Sequence, residues 1–270
     1  MTIQLSARTV IAVDLDYFYA QCEEVRKPEL KQKPLVICVF SGRTETSGAV
    51  STSNYVARKF GVKSGIPIIL AKRLLAKDKD ATFLPMDSDY YESISNRIMD
   101  LLRSRSERFE QVSIDEAFVD VTVQSNADIA KAEKIGREIK QEILEKESLT
   151  STVGIGPNKL IAKMAADQAK PNGILAINEG QVFLENLPAR KLIGVGPKTE
   201  KKLESLGIKT IGDLARFDEL KLSDAFGKNL GPTLKLLANG TDSDPVKERA
   251  IEQVSRIITL KSDSSSYNFF

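Results

Sequence analysis

The first candidates for chemistry are two carboxylates, Asp14 and Asp16, which follow the apolar run from Val10 to Val13. Such a run is typical of a short buried strand. Side chains two apart on a strand share a face, so these carboxylates are candidates to bind one cation at the end of the strand. The backbone carbonyl of Leu15, which lies between them, offers a further hard oxygen ligand.

A second acidic pair, Asp115 and Glu116, also lies in strand-like sequence, between Val112 and Phe118. Two acidic strand ends in one chain predict a two-metal site, in which cations about 3.5 to 4 Å apart hold the attacking and leaving oxygens of a phosphoryl transfer. Adjacent strand residues face opposite ways, so both acids reach one site only where the chain bends. Asp120, on the same strand face as Glu116, is a competing ligand, and ordinary solvated turn acids are the alternative throughout.

Composition narrows the metal chemistry to carboxylates. The chain contains no histidine, which excludes His-liganded zinc, histidine general bases and Ser-His-Asp catalysis. Carboxylate-bound magnesium or manganese is then the natural choice. The two cysteines, Cys22 and Cys38, form no Cys-x-x-Cys motif and are interpreted as reduced core thiols of a cytoplasmic protein.

The length of 270 residues favours two domains. The longest apolar runs are far too short to span a bilayer, and Arg8 and Asp14 interrupt the only N-terminal run that resembles a signal peptide. The net charge of +2 says little about partners. Basic residues outnumber acidic ones between Arg190 and Arg216, however, which predicts a local surface that attracts a polyanion.

One polar face is a candidate triphosphate site. Thr52, Tyr55 and Arg58 recur every third residue along a helix predicted to begin at residue 51 or 52 and to end at Lys59, so they share a face. A hydroxyl, a phenol and a guanidinium near a helix N-terminus suit a triphosphate, whereas a solvated polar face is the alternative. Lys170, at a predicted turn, is a further positive charge that can meet a phosphate.

Tyr19 lies within one turn of the first acidic pair, on a helix predicted over residues 17–25 with Asp16 as its cap. An aromatic ring at this distance from bound metals can pack under the sugar of a nucleotide and clash with a ribose 2′-hydroxyl. The alternative is that the ring is part of the core.

The remaining periodicity predicts an alternating α+β core. Amphipathic helices are predicted over residues 90–103 and 130–146, and a strand over residues 150–155. A further helix is predicted from Lys159 to Ala169, with Asn158 as its cap and Lys170-Pro171 as its end. The order strand, helix, strand, strand, helix, strand is that of a split βαβ sheet, with the acids on its first three strands.

Residues from about 183 to 240 are predicted to form a separate helical unit. Gly194 and Gly196 precede a basic helix that contains Lys198, and Gly207-Ile208 follows it, in the order of a helix-hairpin-helix. Glycines permit a tight turn whose N–H groups point at a DNA phosphate, and the next helix N-terminus adds its dipole. A plain helical hairpin is the alternative.

Taken together, the motifs closely resemble those of the Y-family translesion DNA polymerases, and most nearly the archaeal DNA polymerase IV type. They cover most of the chain from Ile11 to about Thr259. The motifs are Val13-Asp14-Leu15-Asp16-Tyr17-Phe18-Tyr19, Ser41-Gly42-Arg43, Asn54-Tyr55-Val56-Ala57-Arg58-Lys59-Phe60-Gly61, Ser113-Ile114-Asp115-Glu116-Ala117 and Ala169-Lys170-Pro171-Asn172-Gly173.

The resemblance implies a role for each candidate residue. Two Mg²⁺ ions, which Mn²⁺ can replace, would be held by three carboxylates and one carbonyl, those of Asp14, Asp115, Glu116 and Leu15. Asp16 would cap the helix rather than bind metal, and Tyr19 would be the steric gate against ribonucleotides. The incoming triphosphate would be bound by Thr52, Tyr55, Arg58 and Lys170.

The resemblance also implies a right-hand polymerase core. Its palm would be a split βαβ, ferredoxin-like sheet of residues 1–18 and 85–177, its small α/β fingers residues 19–84, and its helix-hairpin-helix thumb residues 178–241, with DNA contacts at Gly194, Gly196 and Lys198. Residues 242–270 would be a linker and the first strand of a little-finger domain, predicted over Val254 to Leu260, so we expect a truncated chain. Fingers this small imply an open, low-fidelity site that copies damaged template, and no further acid cluster in the sequence offers a proofreading nuclease.

Primer-template DNA and deoxynucleoside triphosphates would be the partners of a cytoplasmic monomer, and a sliding clamp stays open as a partner through regions absent from this chain. One departure is Ser51, where close relatives often have alanine beside the templating pair. Two other functions stay open: a palm-fold nucleotide cyclase, which has no use for a helix-hairpin-helix, and a DNA-binding protein with an inactive polymerase site.

Overall fold

A computed structural model describes residues 8–249; the strand predicted over Val254 to Leu260 lies outside them. The strands are β1 (Val10–Leu15), β2 (Leu35–Phe40), β3 (Gly48–Ser53), β4 (Thr82–Pro85), β5 (Phe109–Gln111), β6 (Glu116–Asp120), β7 (Ser151–Gly156) and β8 (Ile174–Ala176). The helices are α1 (Phe18–Arg26), α2 (Tyr55–Arg58), α3 (Ile68–Leu74), α4 (Ser88–Arg103), α5 (Thr122–Ser125), α6 (Ile129–Glu147), α7 (Lys159–Ala169), α8 (Gly180–Glu185), α9 (Pro197–Ser205), α10 (Ile211–Arg216), α11 (Glu219–Phe226) and α12 (Leu230–Ala238).

Contacts among the described residues divide the chain into two compact units. The first unit holds residues 8–14 and 97–249, and the second holds Leu15–Asn96. The predicted palm, fingers and thumb boundaries remain predictions. No helix within residues 8–249 is long and apolar enough to cross a membrane.

The first unit is built on a five-stranded sheet in the order β5-β6-β1-β7-β8. β6 runs antiparallel to both β1 and β5, whereas β7 and β8 are parallel. Every residue of β1 and β7 is buried, as is typical of central strands that are covered on both faces. α6 and α7 pack on β7 and β8, so the sheet is covered by two helices.

Helix α7 begins and ends where the sequence predicts. The side chain of Asn158 accepts a hydrogen bond from the backbone N–H of Ile161 at 2.9 Å, which satisfies one of the free donors of the first turn. α7 approaches β7 closely at Gly154, where a Cβ atom would overlap the backbone of Ala162 and Ala166. The glycine therefore fixes how near this helix lies to the sheet.

Five short helices, α8 to α12, form the helical part of the first unit. Their apolar faces share one core with the start of α7, which includes Ile161, Leu203, Leu214 and Leu234. α10 begins with a capping box, in which the Thr210 hydroxyl accepts from the N–H of residue 213 and the carboxylate there accepts in return. The predicted helical unit is thus a set of short helices packed around one core.

The second unit contains a three-stranded sheet in the order β3-β2-β4, with β3 antiparallel and β4 parallel to β2. α2 and α3 cover it, and their buried side chains share a core with the sheet that includes Val36, Val50, Ala57 and Ile68. The helix predicted to begin at residue 51 or 52 is wrong at its start. Residues 48–53 form β3, and α2 begins only after Asn54.

Candidate active site

In the first unit, Asp14 and Glu116 are directly opposed across the antiparallel strands β1 and β6. Directly opposed residues of an antiparallel pair have Cβ atoms about 4.5 to 5.5 Å apart and point to the same face of the sheet. The structure therefore brings together one member of each acidic pair, although 101 residues separate them in the sequence.

Asp115 lies in the bend that joins β5 to β6, one residue before β6 begins. The bend is closed by a hydrogen bond from the N–H of Ser113 to the carbonyl of Glu116 at 3.2 Å. The Ser113 hydroxyl in turn donates to Asp115 Oδ1 at 2.6 Å. The chain thus has the bend that the two adjacent acids require.

Asp120, the competing ligand, has a structural role instead. Its Oδ1 accepts hydrogen bonds from the N–H and hydroxyl of Thr122, at 3.0 and 2.5 Å, and its Oδ2 lies 3.5 Å from Arg108. These contacts tie the end of β6 to the start of α5. Its carboxylate is already occupied by neighbours in its own strand and turn.

Two lysines neutralise the opposed carboxylates. Lys163 Nζ lies 2.7 Å from Asp14 Oδ2 and 3.0 Å from Glu116 Oε2, and Lys170 Nζ lies 2.7 Å from the same oxygen of Asp14. Both lysines also pair with Asp167, at 3.3 and 3.4 Å. The predicted residue Lys170 therefore joins the acids of this unit, and Lys163 is an additional member that sequence reasoning missed.

Burial governs the charges of this cluster. Burial raises the pKa of the Glu116 carboxyl, which Lys163 only partly offsets. Burial alone would lower the pKa of Lys163, but the carboxylates of Asp14, Glu116 and Asp167 raise it well above its ordinary value. Lys163 is accordingly a fixed positive charge between the two strands.

The donor atoms suit a hard divalent cation, because the carboxylates of Asp14, Asp115 and Glu116 and the carbonyl of Leu15 offer only oxygen. Within the part of the chain that the structure describes, no three acidic side chains converge tightly enough to hold an ion as they stand. The Lys163 ammonium lies between two of the carboxylates and Ser113 binds the third. The Lys163 ammonium thus already supplies a positive charge to the carboxylates of Asp14 and Glu116.

The predicted capping role of Asp16 is wrong. The N-cap of α1 is Tyr17, which has a left-handed backbone with φ 34° and makes no side-chain capping hydrogen bond. Asp16 lies in the turn after β1, so strand periodicity does not place its side chain beside Asp14. Its backbone carbonyl accepts a hydrogen bond from the Gln21 side chain at 2.7 Å, which holds the turn against α1.

In the second unit, the structure gathers three of the four predicted triphosphate residues, Thr52, Tyr55 and Arg58. Arg58 Nη2 lies 3.4 Å from the Thr52 hydroxyl, and the Arg58 guanidinium carbon lies 5.0 Å from the centroid of the Tyr55 ring. Arg58 Nε also donates to the carbonyl of Ser53 at 2.9 Å. Thr52 reaches this cluster from strand β3, so the residues meet although they do not share a helix face.

Tyr19 is stacked on Tyr91, with ring centroids 4.6 Å apart and an angle of 17° between the ring planes. Tyr91 is completely buried, whereas Tyr19 is half-buried. One face of the Tyr19 ring therefore packs against a core side chain, and the ring cannot move in that direction.

In the helical part of the first unit, the predicted DNA contacts lie at a turn and a helix start. Gly194 has φ 88°, a left-handed conformation that favours glycine, and a Cβ there would meet no atom within 4 Å. Gly196 is the N-cap residue of α9, and Lys198 is exposed in its first turn. Backbone N–H groups and one ammonium are thus available at this surface.

Lys163 carries a sequence signal that periodicity alone overlooks. It is the single charged residue between Leu160 and Ala166, where every other side chain is buried. A charge inside an otherwise apolar helix requires a partner, and Asp167 four residues later supplies only part of it. The other partners lie on β1 and β6, which no local pattern indicates.

The comparisons with known proteins give the family. The model described as "impB/mucB/samB family" matches residues 13–167, and the model described as "DNA polymerase-iota, thumb domain" matches residues 190–242. The chain therefore belongs to the Y-family DNA polymerases, and the predicted membership is confirmed.

Its relatives specify the kind of polymerase. DNA polymerase IV of Nitrosopumilus maritimus is 46% identical over 268 residues, which cover 98% of this chain and 74% of that protein. DNA polymerase IV of Saccharolobus solfataricus is 47% identical over 257 residues, which cover 94% of this chain and 72% of that protein. The predicted resemblance to the DNA polymerase IV type is thus confirmed.

Solved structures agree with this assignment. A Y-family DNA polymerase chimera has a TM-score of 0.84 and 45% identity, covering 90% of this chain and 70% of that one. The insertion ternary complex of Dbh DNA polymerase has a TM-score of 0.82 and 46% identity, covering 88% and 69%. The predicted α+β polymerase fold class is confirmed. The cyclase and the inactive DNA-binding protein receive no support.

Proposed function

We infer that this chain is a DNA-directed DNA polymerase that extends a primer on a template, including damaged template. The observation that carries the inference is the opposition of Asp14 and Glu116 across β1 and β6, with Asp115 at the adjoining bend, in a chain of the Y family. Paired carboxylates at strand ends are what a nucleotidyl transfer with divalent cations requires.

Y-family polymerases use divalent metal ions, and we propose two Mg²⁺ here, which Mn²⁺ can replace. The carboxylates of Asp14, Asp115 and Glu116 and the carbonyl of Leu15 would hold them. Bound divalent ions neutralise the triphosphate and align the attacking and leaving oxygens. We also propose that Lys163 and Lys170 release Asp14 when the cations bind. Their ammonium groups would then pair with Asp167 alone or with a phosphate.

We propose that Thr52, Tyr55, Arg58 and Lys170 bind the incoming triphosphate. Arg58 presents a planar guanidinium, which matches phosphate oxygens two at a time, and Tyr55 holds that guanidinium over its ring. Thr52 adds a hydroxyl donor to the same cluster. Lys170 would add a point charge that neutralises the pyrophosphate leaving group.

We propose that Tyr19 excludes ribonucleotides. A ring that stacks on a buried neighbour cannot withdraw from a 2′-hydroxyl placed against it. A deoxyribose has no atom at that position, so its sugar is accepted. The discrimination is therefore steric and depends on how firmly the ring is held.

For the DNA, we propose phosphate contacts at Gly194, Gly196 and Lys198, which position the duplex without reading its sequence. Proofreading by a nuclease is not part of the function that we propose. We also propose a cytoplasmic protein, because Cys22 and Cys38 are buried thiols that form no disulfide. A monomer and recruitment by a sliding clamp are further proposals.

Primer extension tests this function. The protein is incubated with Mg²⁺, deoxynucleotides and a primer annealed to an undamaged or an abasic template, beside the Asp115→Ala variant. We expect extension on both templates that disappears in the variant. Extension by the variant at an unchanged rate, or no extension by the unaltered protein at high enzyme and DNA concentration, would contradict the assignment.

A further inference from the structure

Helix α1 carries two adjacent carboxylates that are almost completely buried, Glu23 at 3% and Glu24 at 5% exposure. Each accepts a hydrogen bond from a different tyrosine hydroxyl. Tyr91 donates to Glu23 Oε1 at 3.1 Å, and Tyr17 donates to Glu24 Oε2 at 3.0 Å. All of these residues lie in the second unit.

The contacts of Glu23 lead through Tyr91 to Tyr19, the proposed steric gate. The Tyr91 ring, fixed at its hydroxyl by Glu23, is the ring on which Tyr19 stacks. Glu23 is itself held by Arg26, whose Nη1 lies 3.3 Å from Oε1 and whose guanidinium carbon lies 3.5 Å from the centroid of the Tyr90 ring. The position of the Tyr19 ring thus depends on the hydrogen bond between Tyr91 and Glu23, although Tyr19 itself does not take part in that bond.

The contacts of Glu24 lead through Tyr17 and Asn54 to the proposed triphosphate residues on α2. The Tyr17 ring lies edge-on against the Tyr55 ring, with centroids 4.8 Å apart and 73° between the planes. Glu24 Oε1 also accepts from Asn54 Nδ2 at 2.8 Å, and Asn54 Oδ1 caps α2 by accepting from the N–H of Ala57 at 3.0 Å. Tyr55 and Arg58, both on α2, are therefore fixed at the helix start and at the ring.

Core packing alone does not require this arrangement. A buried carboxylate loses its hydration, and replacing such a group by an apolar residue of similar volume is often neutral or stabilising. Hydrogen bonds to a carboxylate are shorter and stronger than those between neutral groups, so they hold an aromatic ring in one orientation. Tyr17 also has a left-handed backbone, a conformation that persists where its surroundings fix it.

We propose that Glu23 and Glu24 are positioning residues with separate effects on nucleotide selection. Glu23, through Tyr91, fixes the Tyr19 ring and thereby sets discrimination against ribonucleotides. Glu24, through Tyr17 and Asn54, fixes Tyr55 and thereby sets affinity for the triphosphate of any nucleotide. The proposal rests on the polymerase function proposed above and assigns specificity within it.

The two residues serve as matched controls for each other, because they are adjacent, equally buried and bonded to the same kind of donor. Single-nucleotide incorporation is measured for dCTP and for CTP opposite a template guanine, with kcat and KM determined separately. The proteins are the unaltered chain, Glu23→Ala, Glu23→Gln, Glu24→Ala, Glu24→Gln, and Tyr19→Ala as the reference for an absent gate.

Glu23→Ala is expected to raise the ratio of CTP to dCTP kcat/KM by about tenfold, toward the value of Tyr19→Ala, with the KM for dCTP changed less than about threefold. Glu24→Ala is expected to raise both KM values by about tenfold and to leave the ratio within about threefold. Glu23→Gln keeps the oxygen that accepts from Tyr91 and should restore most of the loss. Glu24→Gln keeps only one of the two oxygens that accept from Tyr17 and Asn54, so it should restore only part of the loss.

The proposal is overturned if both alanine variants change the same kinetic parameter, if neither changes any, or if Glu23→Gln is as damaging as Glu23→Ala. Tyr91→Phe and Tyr17→Phe remove only the donating hydroxyl and carry the same test where an alanine variant does not fold, which circular dichroism reveals. Failure of the unaltered protein to extend any primer would instead contradict the polymerase function itself.

Discussion

Asp14 and Glu116 are cross-strand partners in the antiparallel pair of β1 and β6, and one ammonium group, that of Lys163, lies within 3.0 Å of a carboxylate oxygen of each. Two like charges opposed on neighbouring strands destabilise a sheet. Lys163 removes this cost in the protein without metal, so the stability of the sheet and the binding of a cation are coupled.

Replacing Lys163 by methionine should therefore destabilise the protein when no divalent cation is present. The Lys163 side chain is mostly buried, and its removal takes the ammonium away from Glu116 while Asp14 keeps Lys170. A buried carboxylate that loses its ion-pair partner is costly, so we expect a loss of about 3 kcal/mol in EDTA. Addition of Mg²⁺ should recover much of it. Urea unfolding in EDTA and in Mg²⁺ measures both values. Lys146→Met, which removes an exposed helical ion pair, is the control and should cost less than about 1 kcal/mol in either buffer.

Gly154→Ala should be among the most destabilising single methyl additions in the chain. The new Cβ would overlap backbone atoms of α7, which cannot move aside as a flexible side chain can, so we expect a loss of at least about 3 kcal/mol. Gly65→Ala is the contrasting variant, because Gly65 has a positive φ but open space around it, and strain alone should cost about 1 kcal/mol. Equal losses in thermal or urea unfolding would show that α7 does not approach β7 as closely as described.

Lys198→Ala should weaken binding to duplex DNA uniformly across sequences. Loss of one phosphate contact should reduce the slope of log affinity against log salt concentration by about 1. Fluorescence anisotropy with a labelled duplex at several salt concentrations measures the slope. Lys134→Ala, which removes an exposed charge from α6, should leave the slope unchanged. A change of equal size in both variants would contradict a specific contact at the start of α9.

The buried thiol of Cys38 should make stability depend on alkaline pH. Burial raises its pKa from 9.0 to about 11, so the native protein keeps a proton that the unfolded chain loses. The contribution is complete below pH 9 and is lost as the pH rises toward 11. Urea unfolding at several pH values should show a smaller decline over this interval in Cys38→Ala than in the unaltered protein. An identical decline in both proteins would contradict burial of this thiol.

Local signals in the sequence predicted the parts of the fold that local interactions determine. Asn158 and Lys170-Pro171 mark the two ends of α7, because a cap and a proline act within a few residues of themselves. The apolar run before Asp14 likewise predicts β1. The sequence also predicted a bend beside Asp115, because two adjacent acids on a regular strand face opposite ways and reach one site only where the chain bends.

The errors arise where distant pairing decides the structure. β3 reads Gly-Ala-Val-Ser-Thr-Ser, which lacks apolar alternation, and it is a strand because it pairs with β2. Its residue Ser53 is completely buried and donates to the carbonyl of Val62 at 2.8 Å. Thr52 therefore meets Arg58 from a strand, which a helical period cannot predict.

The site itself shows the same division. Residue types predicted the carboxylates, the guanidinium and the proposed gate residue, because each chemistry needs a particular group. Lys163 was missed because its partner Asp14 lies 149 residues earlier in the chain. Asp16 was misassigned by one position, since Tyr17, in an uncommon left-handed conformation, occupies the start of α1.

The most direct measurement compares two acids of the same strand. Single-turnover incorporation of one deoxynucleotide is measured with Mg²⁺ for Glu116→Gln and for Asp120→Asn, at matched protein and DNA concentrations. Glu116→Gln should lower the rate by at least about 100-fold, because a proposed metal-binding charge is lost, whereas Asp120→Asn should stay within about fivefold. A Glu116→Gln protein that incorporates nucleotide at the unaltered rate, or an equal loss in both variants, would contradict the assignment of catalysis to the carboxylates opposed across β1 and β6.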